Sequence, residues 1–229
     1  MGKGLLLCLL LVAAALFAWY QGVRLPDAWN PWAVLDVRLP PNLLTPYKLS
    51  RLDDDPQRCA QALATSELRY RPQADSPAQA PCPLQNVLRV EGSSVRLSSS
   101  FLASCPLAVA YALFERHALQ PAAQRAFSQA VVQVDHLGSF ACRNVYNRKN
   151  ARLSQHASAN ALDIAGFRLA DGQRINLLND WKGEGAKARF LREVHAGACD
   201  SFNTVLGPEY NAAHRNHFHL DMGLWQICR

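Results

Sequence analysis

The sequence predicts an α+β domain in which an antiparallel sheet is flanked by helices. Three observations predict it. Helical periodicities gather before and between strand-like runs, and the last strand-like runs follow one another across short turns. The chain has 229 residues, 49% of them hydrophobic and 18% charged, which suits one core plus an extension and excludes long-range disorder.

From the N-terminus, Gly4 to Tyr20 carries no charge and follows Lys3. Residues 1–22 therefore read as a membrane anchor or signal segment. Leu16-Phe17-Ala18 is a poor cleavage site, and Trp19-Tyr20 suits a membrane interface, so an anchor is favoured. Residues 23–58 contain Pro26, Pro31, Pro40, Pro41 and Pro46 and predict an extended juxtamembrane segment. The domain is expected over 59–229, with Tyr70 to Pro83 as a surface loop. Ser104 before Cys105-Pro106 marks a helix start that runs to about His117, and Pro121 opens a second helix through Phe127. Ala130–Val134, Ala161–Leu169 and Arg174–Leu178 read as strands, and Ala186–Ala198 as a helix. His217–Met222 and Leu224–Ile227 read as two terminal strands joined near Gly223.

Cys8 sits in the apolar run, which leaves Cys59, Cys82, Cys105, Cys142, Cys199 and Cys228. None forms a Cys-x-x-Cys pair, so a zinc ribbon or thioredoxin-type motif is not indicated. An even set behind a targeting segment predicts disulfides in an oxidising compartment, with the pairing left open. The net charge of +6 suits an anionic surface such as a cell wall. Nucleic acid is not expected as a partner: a second acid cluster for two-metal nuclease chemistry is missing, as are aromatics interleaved on a basic strand. The oligomeric state is not legible.

Two segments carry chemistry: Ser154-Gln155-His156-Ala157-Ser158-Ala159-Asn160-Ala161-Leu162-Asp163-Ile164, and His214-Arg215-Asn216-His217-Phe218-His219-Leu220-Asp221. On a strand, Leu162 and Ile164 share one face and Asp163 takes the other, where a carboxylate needs a partner or a metal. His217 and His219 likewise share a face, with Phe218 turned inward. Imidazoles and a carboxylate on one patch match the ligand preferences of Zn²⁺. His195, His117 and His136 read as structural.

Cys142-Arg143-Asn144, the run Leu153 to Phe167 and the end Tyr210 to Arg229 resemble the bacterial extensin-like C-terminal domain family over roughly Leu35 to Arg229. The Ser-x-His-x6-Asp and His-x-His pattern is also similar to the lysostaphin, D-Ala-D-Ala metallopeptidase and Hedgehog superfamily, and to penicillin-insensitive murein endopeptidases. The resemblance implies a Hedgehog/D-Ala-D-Ala peptidase-like fold holding one Zn²⁺ per chain through His156, Asp163 and His219. It implies His217 as catalytic base and His214 as a further active-site histidine. Arg143 is the loosest match, to an arginine that holds substrate or oxyanion charge. The glutamate that many D-Ala-D-Ala peptidases place just before the last ligand is missing, since positions 214–216 are His-Arg-Asn and Glu209 lies ten residues before His219. Ser154 and Asp221 are expected to orient ligand imidazoles.

The expected function is therefore zinc-dependent hydrolysis of peptide stems or cross-links of peptidoglycan. The expected place is the periplasmic face of the inner membrane, or the periplasm if the signal is cleaved. The alternative is a wall-binding or scaffolding module that keeps the metal without turnover.

Overall fold

The computed structural model describes residues 2–77 and 79–229. The side chains of Lys3, Leu11, Val12, Ala14, Ala15, Leu16, Ala18 and Trp19 also lie outside the described residues. The N-terminal apolar run forms helix α1 (Gly2–Tyr20). Among the described residues no helix is long and apolar enough to cross a membrane, so the expected span is not shown. The seventeen uncharged residues Gly4–Tyr20 would reach about 26 Å as a helix, short of a hydrocarbon core of about 30 Å.

The expected juxtamembrane spacer is corrected. Residues 23–58 contain α2 (Thr45–Ser50) and the start of α3 (Pro56–Leu63), and Leu35, Val37, Leu49 and Leu52 are buried in the core. Prolines there serve as helix starts: Pro46 and Pro56 stand in first turns, and Asp55 caps α3 by accepting from the Arg58 amide.

Next come β1 (Arg69–Pro72), β2 (Val87–Gly92), β3 (Arg96–Leu97) and β4 (Phe101–Ser104). β1 begins the stretch expected to be only loop, and it pairs antiparallel with β2. Helix α4 (Cys105–Phe114) starts where expected: the Ser104 hydroxyl accepts from the Leu107 amide at 3.3 Å, and all ten residues are buried. Where two separate helices were expected, α4 instead continues through a π-helical turn, Glu115–Leu119, into α5 (Gln120–Phe127). The remaining elements are β5 (Val131–Gly138), β6 (Ala161–Leu169), β7 (Arg174–Asn176), α6 (Leu177–Asp180), α7 (Ala186–Ala198), β8 (Thr204–Leu206), β9 (Phe218–Asp221) and β10 (Ile227–Cys228).

The fold is mixed α+β. A small sheet runs β1-β2-β4, and a larger one runs β10-β8-β9-β6-β5-β3, with β7 paired to β6. Pairing is mostly antiparallel, but β3 runs parallel to β5 and β10 parallel to β8. The terminal strands are therefore not the expected hairpin: β9 lies between β6 and β8, and β10 passes beyond β8. A bridge between Cys199 and Cys228 fastens β10 to the end of α7.

Central strand β6 positions the site. Its pairing with β5 steps from Asp135–Gly166 to His136–Ile164, leaving Ala165 outside the ladder. That bulge lets Ile164 and Phe167, three residues apart, both be fully buried. Phe167 packs edge-on against Phe190 of α7 at 5.5 Å, and Phe218 of β9 meets Trp181 at 5.7 Å. Gly166 is required by close approach, because a Cβ there would lie 2.6 Å from the Ile175 carbonyl oxygen of β7.

All six cysteines beyond the apolar run are paired: Cys59–Cys105, Cys82–Cys142 and Cys199–Cys228. Cys8 is free and exposed.

Candidate metal centre

Opposite the helix-covered face, β6 and β9 place Asp163 directly across from His219. His156 arrives from a short 3-10 turn, Gln155–Ser158, just before β6. That turn is closed by Ala159 in the left-handed region, at φ 54°. The three donors converge: His219 Nδ1 lies 2.9 Å from Asp163 Oδ1, His156 Nε2 lies 3.3 Å from Asp163 Oδ2, and the two imidazole nitrogens are 3.2 Å apart.

These donors are of the types zinc takes. One ligand atom from each of the three residues lies within 4.8 Å of the others, with His219 and His156 facing different oxygens of Asp163. The outer nitrogens are also committed. His156 Nδ1 donates to the Ser139 carbonyl at 2.9 Å, and His219 Nε2 donates to Asp221 Oδ2 at 3.0 Å. Each ring thereby turns its other nitrogen toward the cluster. Asp221 is thus the acceptor at the outer nitrogen of His219. Ser154 acts differently: its hydroxyl accepts from the His156 backbone amide at 3.3 Å, so it fixes the turn rather than the ring.

Charge follows this geometry. Burial opposes the Asp163 carboxylate, but hydrogen bonds from His156 and His219 outweigh it and hold the group well below the usual carboxylate range. Burial likewise opposes a charged His219, yet its bonds to Asp163 and Asp221 raise it to about 9.

His217 and His214 stand beside the cluster. Burial, partly offset by Asp163, lowers His217. Its Nδ1 donates to Asn216 Oδ1 at 2.9 Å, which leaves Nε2 with a free lone pair 3.6 Å from Asp163 Oδ1. Burial and the neighbouring His219 and His217 push His214 down to about 4. Its Nδ1–H is held by Asn211 Oδ1 at 2.9 Å, so the neutral ring offers no second donor. Tyr146 and Tyr210 flank it, and the Tyr146 hydroxyl accepts from Asn211 at 2.9 Å.

A cavity of about 250 Å³ opens over these groups and is also lined by Arg143, Arg152, Leu224 and Trp225. Sequence reasoning missed Tyr146, Arg152, Tyr210, Asn211 and Trp225. The left-handed Tyr146, at φ 55°, had no local signature, whereas the Asn-x-x-His spacing of Asn211 and His214 was readable as a cap. Glu209 and the three other histidines fall outside. Glu209 accepts from the Trp181 indole at 3.3 Å, away from the cluster. His195 packs on Trp181 and Phe218, His117 meets the Val37 carbonyl, and His136 meets that of Ser99. A second grouping, His195, Cys199 and Cys228, has its sulfurs spent in the disulfide.

The fold and the cluster define a disulfide-braced α+β domain with a His/Asp/His donor set on its central strands. The chain belongs to the extensin-like protein C-terminus family, which matches residues 57–229. No curated protein and no solved structure matches it at a significant level.

Proposed function

We propose that the chain is a zinc-dependent peptidase of the bacterial cell envelope, hydrolysing peptide stems or cross-links of peptidoglycan on a Hedgehog/D-Ala-D-Ala peptidase-like fold. One observation carries the reading: beside a donor set suited to zinc, His217 sets its Nδ1 on Asn216 Oδ1 and presents Nε2 at 3.6 Å from Asp163 Oδ1. A scaffold that only held metal would have no use for a base so placed.

In this reading His156 Nε2, Asp163 and His219 Nδ1 hold the metal. Zinc, when bound, supplies Lewis acidity toward water and toward the scissile carbonyl. His217 Nε2 takes the proton of the attacking water, and Asn216 stabilises the resulting imidazolium through Nδ1–H. The same nitrogen then returns the proton to the leaving amine. Arg143 holds negative charge of the bound peptide, the role the resemblance gives it. His214 lacks a spare donor for that role, and instead fixes the wall formed with Asn211 and Tyr146. Export is supported by the three disulfides, and α1 would serve as membrane tether or cleaved signal.

The test separates base from ligands. His217→Ala is expected to keep zinc and fold while losing ~10²–10⁴ in the rate of muropeptide hydrolysis. His219→Ala, His156→Ala and Asp163→Ala are expected to lose zinc as well. If the zinc-loaded protein releases no product from any peptidoglycan while still binding wall, the scaffold reading replaces this one.

A further inference from the structure

Residues 136–162 contain no acidic side chain but include Arg143, Arg148, Lys149 and Arg152. These four lie on a hairpin closed by an Asn144–Leu153 bridge. Val145 N–H donates to the Arg152 carbonyl and Ser154 N–H to the Arg143 carbonyl, each at 3.0 Å. Strand alternation sends Arg143, Val145, Arg152 and Ser154 to one side and Asn144 and Leu153 to the other. The cavity follows this alternation: all four of the first set line it, and neither of the second does. Arg143 is half-buried and Arg152 exposed, and both line the cavity.

Neither guanidinium has an ion pair among the described residues. The two carboxylates that line the cavity, Asp163 and Asp221, are engaged by His156 and His219. Two like charges on one face of a strand pair repel, and an anion between them relieves the repulsion. Guanidinium groups suit a carboxylate because their planar donors match its two oxygens.

We infer that Arg152 joins Arg143 in clamping a free carboxylate of the peptide bound in this cavity, and that Arg152 sets the preference for free acid over amide. The inference rests on the peptidase reading for the kind of ligand, but its geometry is independent of turnover.

Calorimetric titration of the zinc-loaded full chain with N-acetyl-D-alanyl-D-alanine and with its C-terminal amide tests it. The acid is expected to bind at least ~10-fold more tightly than the amide. Arg152→Gln should cost the acid about tenfold and leave the amide unchanged, and Arg152→Lys should fall between, keeping charge without the planar fork. Arg143→Gln should also weaken the acid selectively. Equal loss for acid and amide in Arg152→Gln overturns the clamp. So does the absence of any acid preference in the unsubstituted chain, including failure to bind either peptide. Muropeptide hydrolysis without acid preference would keep the peptidase and remove the clamp. An Arg152-dependent acid preference in a chain that hydrolyses no muropeptide would do the reverse.

Discussion

Asp221 offers the sharpest probe of the donor set, because it acts on the metal through one hydrogen bond. Its Oδ2 accepts from His219 Nε2 at 3.0 Å, while Oδ1 accepts from the Gly223 amide at 2.7 Å. In Asp221→Asn one oxygen becomes an NH₂ donor. If the amide oxygen stays on Gly223, the new donor meets Nε2–H, and His219 can satisfy it only by moving its proton to Nδ1. That is the nitrogen facing Asp163 and His156, and a protonated nitrogen cannot bind metal. If the amide flips instead, the Gly223 amide loses its acceptor. Either route makes the site pay for a tautomer or a turn. The expected loss is 10–100-fold in zinc affinity, or about 1.4–2.7 kcal/mol. Competition with a chromogenic chelator at pH 7.5 measures it, with Asp221→Ala as the variant that removes the acceptor without adding a donor. Unchanged zinc affinity in both variants would refute the assignment of Nδ1 as the metal-facing nitrogen of His219.

Further outcomes follow from the same structure. His219 is raised to about 9 without metal, so zinc must displace its proton, and zinc affinity should rise by up to about tenfold per pH unit until that value is passed. The stability this raised group gives the metal-free fold has the opposite sense: it is complete below pH 6.5 and fades as pH rises through about 9, as thermal melts of chelated protein can show. Phe167→Ala, which empties a fully buried ring site against Phe190, should cost ~3–5 kcal/mol in urea unfolding; a loss under ~1 kcal/mol would mean this side chain is not core. Thiol titration of unreduced, denatured full chain should find one thiol, Cys8, and replacing Cys59 and Cys105 by serine should cost about 4 kcal/mol, given their separation of 46 residues.

Part of the cluster was legible because strand alternation fixes relative facing without any tertiary knowledge, whereas His156, and the choice of His219 over His217 as ligand, came only from the family resemblance. Asp163 against Leu162 and Ile164, and His217 and His219 against Phe218, follow from period two alone, and the structure puts Asp163 opposite His219. Helix α4 was legible from its cap and proline. What escaped was set by distant partners. Residues 35–52 look like a proline-broken spacer, yet Leu49 and Leu52 bury against a core whose other walls lie far along the chain. The π-helical turn joining α4 to α5 reads locally as a helix end, because charged Glu115, Arg116 and His117 follow an apolar helix and Pro121 comes just after. The parallel pairing of β10 with β8 overrides the local suggestion of a hairpin at Gly223. Arg152 was hidden for the same reason, since its direction depends on the bridge between Asn144 and Leu153.

The bulge at Ala165 divides one strand between two occupations. Before it, odd-numbered Asp163 belongs to the chemistry and even-numbered Leu162 and Ile164 to the interior; after it, odd-numbered Phe167 and Leu169 are the interior residues. A single residue thus works as a phase shift, letting the same ribbon serve reactivity over its first half and cohesion over its second. For anyone rebuilding this protein, side chains along β6 can be exchanged more safely than its register. The length of β6 between Asp163 and Phe167 is fixed, because adding or deleting one residue there would send either the carboxylate inward or the phenyl rings out.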